Sequence, residues 1–192
     1  MKVESKGIFF KIVVLGIVFV LAIIIIRGII NNSRANNESN EKIVVNSVEN
    51  FYKALNSETM SVMDLPKDYT VYDAIDDGCF RVFNKTYNEQ AYKEFMEAYN
   101  NKEKAFIRVA QTTDEGDLVL FDVAYFPDNK KVYIVKDDTR DKLAVEQDRT
   151  YSLKEFDRVG KYRKGDNTYF VAYNGETINM NASDTLVLMK LK

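Results

Sequence analysis

The feature that most constrains this chain is an unbroken apolar run near its start. From Ile12 to Ile26 every residue is apolar or Gly, reading IVVLGIVFVLAIIII. No polar residue punctuates it at a 3.6-residue period, so it does not match a core helix with one face in water. Extended past Lys11 and Arg27, the apolar segment runs from Ile8 to Ile30. A helix of that length spans about 35 Å, against a hydrocarbon core of about 30 Å. Lys11 and Arg27 then snorkel to opposite interfaces along their aliphatic stems. The many β-branched residues weaken a helix in water, but in lipid the backbone must bond to itself and that preference is overridden.

Two other readings fit less well. A cleaved signal peptide has a shorter apolar region followed by a small-x-small site. Ser33-Arg34-Ala35 matches such a site loosely, but it lies beyond Arg27 and two Asn. A lipoprotein needs a Cys directly after the run, whereas the single Cys is Cys79. The sequence therefore predicts a cytoplasmic stub over 1–7 and an uncleaved transmembrane helix over 8–30. Lys2, Lys6 and Lys11 precede the span, while Arg27 and Arg34 follow it together with Glu38 and Glu41. That asymmetry places the N-terminus inside.

Residues 31–41 read NNSRANNESNE, a polar linker. Residues 42–192 are left as an extracytoplasmic domain, with 22 Lys and Arg against 26 Asp and Glu. A net-acidic domain is a poor candidate for holding nucleic acid by bulk charge. The chain has no His, which removes His-dependent triads and His-ligated metal sites. One Cys excludes an internal disulfide and a multi-Cys zinc site.

Within 42–192, Val44, Val48, Phe51 and Leu55 fall on one helical stripe. A clearer helix runs from Asn88, a candidate cap, to Asn100. Its Tyr92, Phe95, Met96 and Tyr99 share a face, with Lys93 and Glu97 paired on the other. After it the pattern alternates with period two. Ala105–Val109 and Val119–Tyr125 flank the turn Asp114-Glu115-Gly116-Asp117 and read as a hairpin. Pro127-Asp128-Asn129 turns the chain into Val132–Val135. Tyr151–Tyr162 and Thr168–Tyr173 suggest another hairpin around Gly165, and Thr185–Leu191 a last strand. Helices first and strands after predict an α+β class, one or two helices on a largely antiparallel sheet. Which of Phe106 and Ile107 faces the helix is left open.

One stretch supports a resemblance. A strand-like VYDAIDDGCFRVFN leads into YNEQAYKEFMEAYNNKEKAFIRVA, TTDEGDLVLFDVAY, VYIVKDDTRD and a late Tyr-rich hairpin. The most specific piece is Ile107-Arg108 followed by Thr112 to Asp117. This stretch, Asp73 to about Gly175, resembles a family of small extracytoplasmic proteins of Gram-positive bacteria, mostly lipoproteins, catalogued as a domain of unknown function (number 4362). The resemblance implies an extracytoplasmic setting and assigns no catalytic residues. This chain departs from it in having a span where those proteins carry a lipidated Cys. It also has Tyr151 and Tyr173-Asn174 where many of them carry a Cys pair.

No catalytic, cofactor-binding or metal-ligating residues are assigned from the sequence. The acids of Thr112–Asp117, with Asp137, Asp138 and Asp141, lack the spacing of a calcium loop, and Arg108 is expected to pair with one of them across the hairpin. Cys79 lies beside Asp76 and Asp77, which disfavour a thiolate, and reads as an inert thiol. Tyr69, Tyr72, Tyr87, Tyr125, Tyr133, Tyr162, Tyr169 and Tyr173 read as cross-strand packing first and as a recognition surface second. The expected function is a non-catalytic module tethered to the membrane through residues 8–30. It binds a protein, peptide or envelope glycan, and no cofactor or nucleic acid. The alternatives are a carboxylate- or metal-dependent envelope hydrolase and an accessory subunit of a membrane complex. Protease added to intact protoplasts is expected to remove the 42–192 domain; protection until lysis reverses the orientation.

Overall fold

A computed structural model describes residues 45–56 and 59–191. The stub, span and linker expected over 1–41 lie outside the described residues. Among the described residues no helix is long and apolar enough to cross a membrane. Helices α1 (Val48–Leu55), α2 (Val71–Asp76) and α3 (Glu89–Asn100) pack on antiparallel sheets, an α+β arrangement. Strands β1 (Arg81–Val82) and β2 (Thr86–Tyr87) form a small ribbon. Strands β3 (Ala105–Thr112), β4 (Leu118–Phe126), β5 (Lys131–Asp137) and β6 (Tyr151–Phe156) form a four-stranded sheet in that order. Strands β7 (Arg158–Lys164), β8 (Asn167–Tyr173) and β9 (Thr185–Lys190) form a second sheet.

Local chemistry sets the helix ends. Ser47 caps α1 by accepting from the Asn50 N–H at 3.2 Å, and Asn56 stops it in a left-handed conformation. Residues 71–76 are strand-like by composition, yet they fold as α2. A capping box overrides the propensity: Thr70 Oγ1 accepts from the Asp73 N–H at 3.3 Å, and Asp73 Oδ2 from the Thr70 N–H at 2.7 Å. Gly78, at φ 86°, then turns the chain so that Phe80 bridges β3 in parallel.

Helix α3 differs from expectation in two details. Asn88 occupies the cap position, but its amide donates to the Ile75 and Cys79 carbonyls at 2.8 and 2.9 Å instead of capping. Lys93 pairs with Glu89 at 3.1 Å, one turn back, and not with Glu97. The other end is a Schellman turn, with Glu103 N–H on the Ala98 carbonyl and Lys102 N–H on the Tyr99 carbonyl. Lys102 sits at φ 63° where Gly is usual, a conformation that costs roughly 1–2 kcal/mol for an L-residue with a side chain. Lys130 closes the β4–β5 hairpin with φ 53°, in the same left-handed region.

The four-stranded sheet is covered on both faces, so all nine residues of β4 are buried. Ile107 and Val109 of β3 join Val119, Phe121, Val123 and Tyr125 of β4 on the face against Tyr92 and Phe95. Phe106 lies on the opposite face. The second sheet completes this first core through Val159, Phe170, Ala172, Leu188 and Met189. Phe170 meets Tyr92 and Phe95 edge-on, at centroid distances of 5.1 and 6.0 Å. The opposite core gathers Phe51, Val62, Leu65, Tyr69, Ala74 and Cys79 over Leu118, Leu120, Ala124 and Phe126.

The chain passes between sheets at Asp157. A single Tyr151–Tyr162 strand is expected from the alternation, but a bend there divides it into β6 and β7. Three bonds hold the bend: Asp157 N–H donates to Asn174 Oδ1, the Gly175 N–H donates to Asp157 Oδ2, and Lys131 Nζ donates to Asp157 Oδ1. The Gly175 N–H, followed by Lys131, keeps the Asp157 carboxyl below its ordinary range. Phe95→Ala is expected to cost about 3–5 kcal/mol in urea unfolding, as for a buried aromatic. Lys93→Ala, on the solvated side, should cost less than about 0.5 kcal/mol.

Candidate functional site

The second core is polar at its centre. Asp122 points from the middle of β4 into the face covered by α1, with no exposure. Arg108, its register partner on β3, makes a bidentate pair with it: Nε to Oδ1 at 2.6 Å and Nη2 to Oδ2 at 2.7 Å. The expected pairing of Arg108 with the turn acids is thereby corrected, because direct cross-strand register brings Asp122 closer. Tyr52 of α1 donates to Asp122 Oδ2 at 2.7 Å and accepts from the Val62 N–H. Arg108 Nη2 also reaches the Met60 carbonyl at 2.7 Å. Burial, the Asp122 charge and the bond to it push the Tyr52 phenol well above its ordinary range. Burial works against the Arg108 charge, but the bond and charge of Asp122 outweigh it and the guanidinium stays protonated.

Cys79 lies in this core, buried, with Tyr69 donating nearby to Asp77 at 2.8 Å. Burial pushes the thiol up to about 11, Arg108 opposing. Cys79 is therefore a packed thiol with little thiolate character.

The same core opens at its edge into a groove of about 620 Å³. Its walls come from the approach to α2 (Lys67, Tyr69, Val71, Tyr72), the start of β4 (Asp117, Leu118) and the segment after β5 (Thr139, Arg140, Lys142). A second buried pair fixes its charge. Asp137 ends β5 with almost no exposure, accepts from the Thr139 N–H and hydroxyl at 2.9 and 2.6 Å, and pairs with Arg140. Arg140 is 9% exposed, donates to the Pro66 carbonyl at 3.1 Å and lies over the Tyr69 ring. Its Nε has no hydrogen-bond partner among the described residues. Tyr72, by contrast, is 76% exposed.

No match was found in comparisons with protein-family models, curated proteins or solved structures. The chemistry of the groove must be read from its own residues. It combines one exposed aromatic ring, apolar Val71 and Leu118, and a guanidinium held in place. Such a surface can stack a ring or a planar amide beside the exposed ammonium groups of Lys67 and Lys142.

The acids singled out in the sequence are dispersed. Asp117 accepts from the Lys142 N–H at 2.9 Å, Asp137 is bound to Arg140, and Asp141 caps Leu143 and Ala144 N–H groups. Among the described residues no His, Cys, Asp and Glu are grouped so as to hold a metal ion. Of the tyrosines, Tyr69, Tyr125 and Tyr133 are core residues, whereas Tyr72 is open to solvent. Arg140 and Lys67 carried no motif, since only the fold brings residues so far apart in sequence into one groove.

Asp122→Ala, which strands the Arg108 charge, is expected to cost about 3–5 kcal/mol in urea unfolding. Tyr52→Phe should cost about 1–3 kcal/mol. A double change to Arg108→Met and Asp122→Leu should recover most of the single-variant loss. Because Cys79 is buried and its thiol is held in the protonated form, iodoacetamide labelling should follow unfolding, not precede it.

Proposed function

We propose that this chain is a single-pass membrane protein whose 42–192 domain works outside the cytoplasm as a non-catalytic binding module. Residues 8–30 anchor it, with the N-terminus in the cytoplasm. Its ligand is a protein, peptide or envelope glycan. The observation that carries the binding reading is the groove, where Tyr72 stands 76% exposed in a lining that also includes Arg140. A large ring in water gains nothing for the fold; on the rim of a pre-formed pocket it offers contact area at low conformational cost. Asp117 and Asp137 support binding over hydrolysis, because each is already committed to a partner at the groove wall. The extracytoplasmic setting draws support from the apolar run and from the family that residues 73–175 resemble.

The test is co-sedimentation of the full chain, in neutral detergent, with bacterial cell-wall sacculi and, in parallel, fluorescence anisotropy with a mixed peptide library. Saturable binding to either is expected. Tyr72→Ala should weaken it roughly ten-fold or more, as for an aromatic anchor, with the melting temperature unchanged. Binding that survives Tyr72→Ala and Arg140→Gln together would remove this groove from the function.

A further inference from the structure

The four-stranded sheet has two edges, and the fold treats them differently. β3 is covered along its outer side. There the Phe80 N–H donates to the Arg108 carbonyl, the Ala110 N–H donates to the Phe80 carbonyl, and Arg81 reaches the Ala110 carbonyl. β6 pairs with β5 alone, and among the described residues nothing bonds to the backbone on its other side. The Asp138 N–H donates to the Thr150 carbonyl, which sets the alternation of the ladder. Ser152, Lys154 and Phe156 turn their backbone groups toward β5, and Tyr151, Leu153 and Glu155 turn theirs away. Three N–H and three C=O groups therefore stand open in a row.

An open edge is a template for another strand, and folds usually blunt it with a bulge, a proline or like charges. β6 has none of these. Its register with β5 runs unshifted through all six residues, it contains no Pro, and its two charges, Lys154 and Glu155, are of opposite sign. β7 shows the contrast. It carries Arg158, Lys161, Arg163 and Lys164 without an acid, so two copies of it would meet with like charge, and its Val159 N–H is taken by the Tyr99 hydroxyl. The edge of β9 is also engaged, since Gln111 Nε2 donates to the Leu188 carbonyl.

We infer that β6 pairs antiparallel with β6 of a second copy of this chain, joining two four-stranded sheets into one of eight strands. The strand is complementary to itself in one register. With Leu153 opposite Leu153 of the partner subunit, Tyr151 faces Glu155 of the partner subunit and Ser152 faces Lys154 of the partner subunit. All six open backbone groups on each copy are then bonded. A slip by two residues either sets the two copies of Lys154 against each other or leaves Glu155 beyond the end of the other strand. Tyr151 and Leu153 already pack on the core that holds Asp122, so the joint carries that apolar face across from one copy to the other. The two-fold axis stands normal to the sheet, which puts both copies of α1 on one face. Each chain enters its domain through α1, an arrangement that suits two chains anchored in one bilayer. That last point rests on the proposed span; the strand pairing does not. Six residues a side is small for a stable dimer, so tethering in one membrane supplies the effective concentration.

The test is cross-linking of the full chain carrying Lys154→Cys, in phosphatidylcholine vesicles and at rising concentration in neutral detergent. A bis-maleimide of about 8 Å suits it, because diagonal positions across a strand pair lie about 7–8 Å apart. Lys154 is exposed and Cys79 is buried, so only the new thiol reacts. A covalent dimer is expected, with a yield roughly ten-fold or more above that of Lys164→Cys on β7. Adding Glu155→Pro removes one outward N–H and leaves the ladder to β5 intact, so the dimer should vanish while the melting transition of the domain remains. With Lys154 in place, sedimentation equilibrium in detergent reads the charge pairing. Ser152→Glu should strengthen association and Ser152→Lys should weaken it, opposite signs that a loss of fold does not produce. Flotation with the vesicles reports the anchor separately; a chain that does not float loses the span, and the detergent series then decides the pairing. No dimer in either series, equal yields from positions 154 and 164, a dimer that survives Glu155→Pro, or Ser152 variants that shift association the same way would overturn the inference.

Discussion

A carboxylate with no exposure at the centre of an interior strand is costly unless every lone pair is answered, and Asp122 is where this domain meets that demand. Desolvating such a group costs several kcal/mol. Here the bidentate Arg108 and the Tyr52 hydroxyl meet the cost together. Because Tyr52 also accepts from Val62 and Arg108 reaches Met60, the carboxylate fastens α1 and the 60–62 segment to the sheet. An apolar patch of the same size would hold α1 but leave its rotation loose; directional bonds set one orientation. The position of α1 and the 60–62 segment follows from this contact.

The two faces of the four-stranded sheet are stabilised differently. The face toward α3 and the second sheet is an aromatic and aliphatic core in which Phe80, Tyr92, Phe95 and Phe170 interlock. The face toward α1 carries a polar pair at its centre and another, Asp137 with Arg140, at its edge. The candidate groove lies where the second pair meets solvent.

Periodicity made the α3 stripe, the β3–β4 hairpin and the last strand legible in the sequence, because each sets a regular apolar pattern against a partner nearby in the chain. It failed where a short-range bond outweighed propensity. Thr70 and Asp73 turn Val71–Asp76 into a helix despite its strand-like composition, and three bonds to Asp157 break an alternation that otherwise runs on to Tyr162. Arg108 was legible as half of a pair, but its partner was not, since Asp122 reads as the polar position of an ordinary one-sided strand. Only the cover on both faces makes it buried. The groove was illegible for a related reason: the 67–72, 117–118 and 139–142 segments that line it are brought together only by the closed topology.

The Tyr52–Asp122 bond also has a consequence in time. Its two ends are 70 residues apart in the chain. At a synthesis rate of about 5–20 residues per second, α1 leaves the ribosome several seconds before its carboxylate partner exists. An eight-residue helix has little stability alone, so it waits as unstructured chain. The β3–β4 hairpin, whose contacts are local, can form first and present Asp122 already paired with Arg108. The first helix of the domain is then among the last elements to dock, and until it does, one face of the sheet stays open to whatever the emerging chain encounters.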